Sequence, residues 1–225
     1  MKTETKRKLL AILFPERCPF CSDVIKPLET ACEDCKEAMP SKNYTTLVSG
    51  MYEAFSPFPY DGKYKDAILK LKFGKLRQFA PQLARITAER LKEHKDVSEF
   101  DVITYVPLHK DTLKERGFNQ SGLLAKHLSE NLGIPCEGIL EKIKKNEPQH
   151  KLLAKERKKN VEGVFGCVDK KLVKGRKIIL VDDIITTGLT LSECIKVLNS
   201  KGADEIFCVT FAKSQPKSLE KKQKL

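Results

Sequence analysis

The sequence predicts an α/β fold: a parallel sheet flanked by helices, with a small cysteine-rich segment in front. Three observations carry that prediction. From Asp101 onward, apolar runs of strand length alternate with stretches of helical spacing, the pattern of strands joined by crossover helices. RKIILVDDI, at residues 176–184, is the strongest strand pattern in the chain. Near the start, two Cys-x-x-Cys pairs, Cys18/Cys21 and Cys32/Cys35, lie in a segment too short to bury a core of its own.

The first residues, MKTETKRKLLAILFPERC, are basic and then briefly apolar. The apolar part spans only residues 9–14 and no small-residue cleavage site follows, so it reads as a short amphipathic helix of a cytoplasmic protein. No apolar run approaches the roughly 18–20 residues that cross a bilayer, so no membrane insertion is expected. In each Cys-x-x-Cys pair the chain can wrap a knuckle whose two sulfurs face one point. Four thiolates then close a tetrahedral zinc site, and the metal replaces a core. A redox pair would normally be a single Cys-x-x-Cys after a strand, and disulfides do not suit a cytoplasmic chain. With all four positions taken by protein, the metal is a staple or a docking surface rather than a catalyst. Cys136, Cys167, Cys194 and Cys208 stand singly among apolar neighbours and read as buried thiols.

Residues 41–49 read as a polar linker. Alternating aromatics suggest a strand over 51–60, Asp61-Gly62 a turn, and the spacing of Ile68, Leu69 and Leu71 a helix over 64–73. A second amphipathic helix is expected over 78–94. DVITYVPLH is a strand ending in a proline loop, SGLLAKHLSENLG a helix stopped by Gly133, and IPCEGILEKI strand-like. After RKIILVDDI come the helix LTLSECIKVLNSKGA, closed by Gly202, and the strand EIFCVTFAK. Residues 141–160 are highly charged and read as a surface loop running into a short helix. The expected organisation is a zinc-binding domain over 1–45, the α/β domain over 46–212 and a basic flexible tail over 213–225.

The net charge of +12 favours polyanionic partners such as nucleic acid or phosphorylated substrates. Lysine-rich surfaces also occur without such a partner, so charge alone leaves both readings open. The segment IILVDDIITTGLT is more specific. Ligands of a parallel sheet sit beyond the carboxyl ends of its strands, where Asp182 and Asp183 emerge. The following Thr-Thr-Gly-Leu-Thr turn opens a helix, and its backbone N–H groups and hydroxyls suit a phosphate. Carboxylates beside a phosphate cradle suit ribose hydroxyls, directly or through a hard cation such as Mg²⁺.

VDDIITTGLT closely resembles the phosphoribosyl-pyrophosphate (PRPP) signature of type I phosphoribosyltransferases. The chain as a whole resembles the ComF family, the ComFC-type phosphoribosyltransferase-like proteins of bacterial competence. The supporting pieces occur in order: the Cys-x-x-Cys pairs, YDGKYKDAILKLKF, VPLH, RGFNQ followed by LA, PQHKLLAKERKKNVEGVF, and the PRPP signature. The resemblance implies a type I phosphoribosyltransferase fold with an N-terminal four-cysteine zinc finger. It implies that Asp182 and Asp183 serve the ribose hydroxyls as the catalytic acids, with Mg²⁺ nearby. Thr186, Thr187, Gly188, Leu189 and Thr190 would hold the 5′-phosphate. Val106, Pro107, Leu108, His109 and Lys110 correspond to the pyrophosphate loop, where such enzymes often carry a strained or cis peptide; outside that context His109 would be an ordinary surface histidine.

Arg116 would clamp a phosphate oxygen or else pair on the surface, and Asn119 is equally an N-cap for the helix near Ser121. Gln149, Lys151, Arg157 and Asn160 fall in the segment that would close over PRPP or contact DNA. The implied role is in natural transformation, handling incoming single-stranded DNA on the cytoplasmic side, with a competence helicase or DNA-processing protein as a further partner. Two alternatives stand beside it: a DNA- or helicase-binding module regulated by PRPP, and nucleotide salvage. In 6-oxopurine salvage the sixth residue of the signature is commonly Asp, and here it is Thr186, which speaks against that substrate class.

Overall fold

The computed structural model describes residues 15–73, 76–144 and 162–215. Strands β1 (Tyr44–Val48), β2 (Tyr52–Ser56), β3 (Phe58–Pro59), β4 (Val102–Tyr105), β7 (Lys177–Ile185) and β8 (Glu205–Lys213) form one sheet in the order β1-β2-β8-β7-β4, with β3 also pairing β8. β2, β3 and β7 run parallel to β8, and β4 runs parallel to β7. Pro57 has no N–H to give the ladder, which is where β2 and β3 separate. A small antiparallel pair, β5 (Leu140–Lys142) with β6 (Phe165–Cys167), stands apart.

The apolar run of β7 is continuous because both sheet faces are covered. Ile179 and Val181, with Phe207, Val209 and Phe211 of β8, join a core that includes helices α2 (Gly62–Phe73), α3 (Ala80–His94) and α5 (Gln120–Leu132). Ile178, Leu180, Ile206 and Cys208 face the opposite way, into a core with α6 (Leu189–Ser200), β5 and β6. No helix among the described residues is long and apolar enough to cross a membrane.

The cysteine-rich segment packs on the first of these cores. Phe20 meets Phe58 and Tyr64 edge-on, at ring centroid distances of 5.8 and 5.3 Å. The Tyr64 hydroxyl donates to the Ala38 carbonyl at 3.2 Å, just after the short helix α1 (Glu33–Glu37), and Arg85 of α3 donates to the Leu28 carbonyl at 2.9 Å.

Three expectations need correction. Within the expected polar linker, residues 44–48 form β1, an edge strand that pairs antiparallel with β2. Its threonines and its alternation of half-buried and exposed side chains give it a polar appearance, and a tight turn with positive φ at Ser49 and Gly50 closes the hairpin. IPCEGILEKI forms a strand only over its last residues; Cys136 makes a single bridge to Ile103, and Pro135 and Gly138 interrupt the rest. Cys194 and Cys208 are buried thiols as expected, but Cys136 and Cys167 are only half-buried. The expected N-terminal amphipathic helix lies outside the described residues.

Candidate functional site

β4 ends at Tyr105, opposite Val181, whereas β7 continues to Ile185 with only β8 beside it. That length difference leaves Asp182 and Asp183 at an open step of the sheet. Asp182 is buried and its Oδ1 accepts from the Ser121 hydroxyl of α5 and from the Asp183 N–H, both at 2.8 Å. Loss of water, and then the neighbouring Asp183 charge, push the Asp182 carboxyl up to about 8. Asp183 is only 4% exposed and forms an ion pair with Lys72, in the last turn of α2. Burial opposes the Lys72 charge, but Asp183 and Asp182 outweigh it and raise its pKa. The core of the acid site is therefore the Lys72 ammonium held against Asp183, with the buried Asp182 carboxyl beside them.

After β7 the chain passes through exposed Thr186 and Thr187 to Gly188, which sits at φ 74° as the N-cap of α6. A non-glycine residue adopts that left-handed conformation only with strain. Gly188 also leaves the helix start without a side-chain cap. The first N–H groups of a twelve-residue helix thus meet a cleft of about 650 Å³, lined by both acids, Lys72, Tyr60, Phe73, Thr186, Gly188, Leu189 and Thr190.

Residues 106–110 are not part of that lining. They leave β4 through a Val106 N–H bond to the Val181 carbonyl and turn into α4 (Lys110–Arg116), which His109 caps by accepting from the Asp111 N–H at 3.3 Å. Pro107 is buried and Lys110 exposed, and no cis peptide occurs among the described residues. Asn119 does cap α5, accepting from the Gly122 N–H at 3.2 Å, and it also donates to the Val106 carbonyl at 3.0 Å, which ties the loop to the helix. Arg116 donates to the Gln120 side chain at 2.6 Å and lies 5.3 Å over the Phe73 ring. It lines a second recess of about 180 Å³ together with Lys72, Phe73, Thr112 and Glu115, so Lys72 and Phe73 are common to both cavities. Gln149, Lys151, Arg157 and Asn160 lie outside the described residues.

Reading the sequence missed Lys72, Ser121 and Phe73 as site residues. Lys72 follows buried Leu71 and stands four residues after buried Ile68, a position flanking the apolar stripe. Nothing in the spacing of α2 separates it from the helix's other lysines.

The sulfurs of Cys18, Cys21, Cys32 and Cys35 lie within 4.8 Å of one another. Four thiolates about 2.3 Å from a central ion stand about 3.8 Å apart, so this donor set fits a tetrahedral structural zinc.

A family model described as a double zinc ribbon domain matches residues 9–46, and one described as a phosphoribosyl transferase domain matches residues 119–225. The fold is that of the type I phosphoribosyltransferases. The chain is 30% identical over 194 residues to competence protein F of Haemophilus influenzae, covering 84% of this chain and 81% of that one. It is 30% identical over 197 residues to competence protein ComFC of Streptococcus pneumoniae, covering 85% and 78%. To the DNA utilization protein YhgH of Escherichia coli K12 it is 28% identical over 198 residues, covering 85% and 82%.

Proposed function

The chain belongs to the family of competence protein F and ComFC, and from that premise we propose that it binds PRPP in the cleft at the end of β7 and serves natural transformation by handling single-stranded DNA on the cytoplasmic side. The observation that carries the ligand is the acid pair and the Gly188-led helix start lining one cleft of about 650 Å³. The 5′-phosphate sits on the first turn of α6, held by backbone N–H groups and the hydroxyls of Thr186, Thr187 and Thr190. The ribose hydroxyls then reach Asp182 and Asp183 within the same cleft. Ser121 and the Asp183 N–H fix the Asp182 carboxyl, so one acid is oriented before the ligand arrives. Bound Mg²⁺ would be held by Asp182 and Asp183 beside the ligand's own oxygens and would neutralise charge at the diphosphate.

Arg116, in the recess that shares Lys72 and Phe73 with the cleft, and His109 and Lys110 of the loop after β4 are assigned to the diphosphate, and Gln149, Lys151, Arg157 and Asn160 to the lid or to DNA contact. Transfer of the phosphoribosyl group needs water kept from an oxocarbenium-like carbon, and that is the work assigned to the lid. The role in DNA handling is supported by the names of the relatives and by the chain's basic charge.

The test is calorimetry with PRPP and Mg²⁺. The wild type should bind, and Asp183→Asn should weaken binding by at least tenfold, the loss of about one charge-assisted hydrogen bond. In transformable cells the same variant should lose transformation while the purified protein still binds single-stranded DNA. Diphosphate release that depends on an added base, nucleotide or DNA would identify the acceptor. Absence of PRPP binding by the wild type would refute the proposal.

A further inference from the structure

Lys72 forms an ion pair with one of the two acids, and it is placed by α2, an element outside the sheet and its phosphate loop. Its side chain is largely buried, which an ammonium tolerates only against an anion, and that anion is Asp183. Tyr60 and Asp182 are the other ionisable groups that feel its charge. Lys72 also lines both the acid cleft and the recess beside Arg116, where Thr112 adds a hydroxyl and Glu115 is the one acid in the lining.

In this arrangement Asp183 is already occupied. A ribose hydroxyl at Asp183 competes with the ammonium for the Oδ2 side of the carboxylate, and an ammonium drawn off one buried anion needs another. A ribosyl diphosphate supplies that anion with the same molecule that brings the hydroxyls. Ribose 5-phosphate brings the hydroxyls without it. Its single phosphate is already committed to the first turn of α6.

We propose that Lys72 is a specificity-determining residue of the cleft, an internal counterion that passes from Asp183 to the diphosphate of the incoming ligand and so makes the site favour ribosyl diphosphates over ribose phosphates. The inference rests on the PRPP reading above. Arg116, across the recess, receives the same diphosphate from the other side. Exchanging one ion pair for another costs little, whereas breaking the pair without replacement costs most of its attraction.

The test compares PRPP and ribose 5-phosphate by calorimetry, with Mg²⁺ present throughout, on the wild type, Lys72→Met and Lys72→Arg. The wild type should bind PRPP at least tenfold more tightly than ribose 5-phosphate. Lys72→Met should collapse that ratio to within about threefold, mainly by weakening PRPP, because a charge-assisted contact is worth roughly ten- to a hundredfold in affinity. Lys72→Arg, which keeps the charge, should restore part of the ratio. Equal weakening of both ligands in Lys72→Met would mark a merely structural lysine and overturn this inference alone. Failure of the wild type to bind either ligand would overturn the PRPP reading and this inference with it. Should Lys72→Met not fold, ¹⁵N-lysine NMR of the wild type decides. The Lys72 ammonium signal, assigned with Lys72→Arg, must move on adding PRPP and stay on adding ribose 5-phosphate; a signal unmoved by PRPP overturns the proposal.

Discussion

Asp182 holds a proton in the folded protein over a pH range in which the unfolded chain has released it. Burial and the Asp183 charge raise its carboxyl from 3.8 to about 8. Between those values the native state binds more protons than the unfolded state, so stability falls as pH rises. The contribution of this group is complete below about pH 4 and is lost as pH climbs through about 8. The slope it adds is at most about 1.4 kcal/mol per pH unit. Asp182→Asn keeps an oxygen to accept from Ser121 and removes the titration. Urea midpoints measured from about pH 5 to about pH 8 should therefore fall more steeply for the wild type than for Asp182→Asn. Parallel curves would show that Asp182 is ionised throughout. At this scale, contiguity decides what can be read in advance. The acids and the Thr-Thr-Gly-Leu-Thr turn are adjacent in sequence, so their joint chemistry is visible as a string. Ser121 lies 61 residues from the acid it orients and Lys72 farther still, and only the packing of α5 and α2 against the sheet brings them there.

Among the elements, those covered on both sides were the most legible. β7, β8, α5 and α6 carry long apolar patterns, and Gly133 and Gly202 punctuate them at positive φ. β1 was not legible because an edge strand buries only part of one face, and β6 because three residues carry no period. The cysteine-rich segment was legible as a metal site from its spacing, but its attachment was not, since that depends on Phe20 and a few polar groups meeting residues of α2, α3 and β3 far along the sequence. Phe20 is 4% exposed, wedged against Phe58 and Tyr64 with the Phe58–Tyr64 stack at 4.3 Å behind it. Removing this ring leaves a cavity shared by the zinc segment and α2. Phe20→Ala should thus lower stability by about 3 kcal/mol while zinc content, measured by atomic emission, stays at the wild-type value. Cys35→Ser should lose both zinc and stability. Retained stability in Phe20→Ala would mean that the segment is held by its polar contacts to α2 and α3 instead.

For the molecule as a whole, the net charge of +12 is unevenly placed. Residues 142–160 hold eight Lys/Arg against two Glu, residues 213–225 five Lys against one Glu, and residues 1–14 four Lys/Arg against one Glu. The remainder of the chain is close to neutral. A body with little net charge contributes little long-range attraction, so these three stretches carry the chain's excess of positive charge toward a polyanion. The chain has no Trp, five Tyr and eleven Phe, and of the described Phe only Phe73 is exposed, so base stacking has few platforms and counterion release supplies most of the affinity. The stretches differ in what else is assigned to them. Residues 142–160 include the four residues assigned above to the lid or to DNA contact, whereas residues 216–225 come after β8 in sequence, whose last pairing is at Lys213. Deleting residues 216–225 removes four lysines and leaves in place the residues described as lining the cleft. For single strands each phosphate contact contributes about 0.7 to the slope of log K against log salt, so the deletion should flatten that slope by roughly 3 when all four lysines engage. Anisotropy of a labelled oligonucleotide between about 50 and 200 mM salt reads the slope directly. PRPP affinity should be unchanged in the same variant, because the acids, Lys72 and the start of α6 remain. An unaltered slope would place the DNA contact on residues 142–160 or on the N-terminal stretch, and only the first of these would couple DNA binding to closure over the cleft.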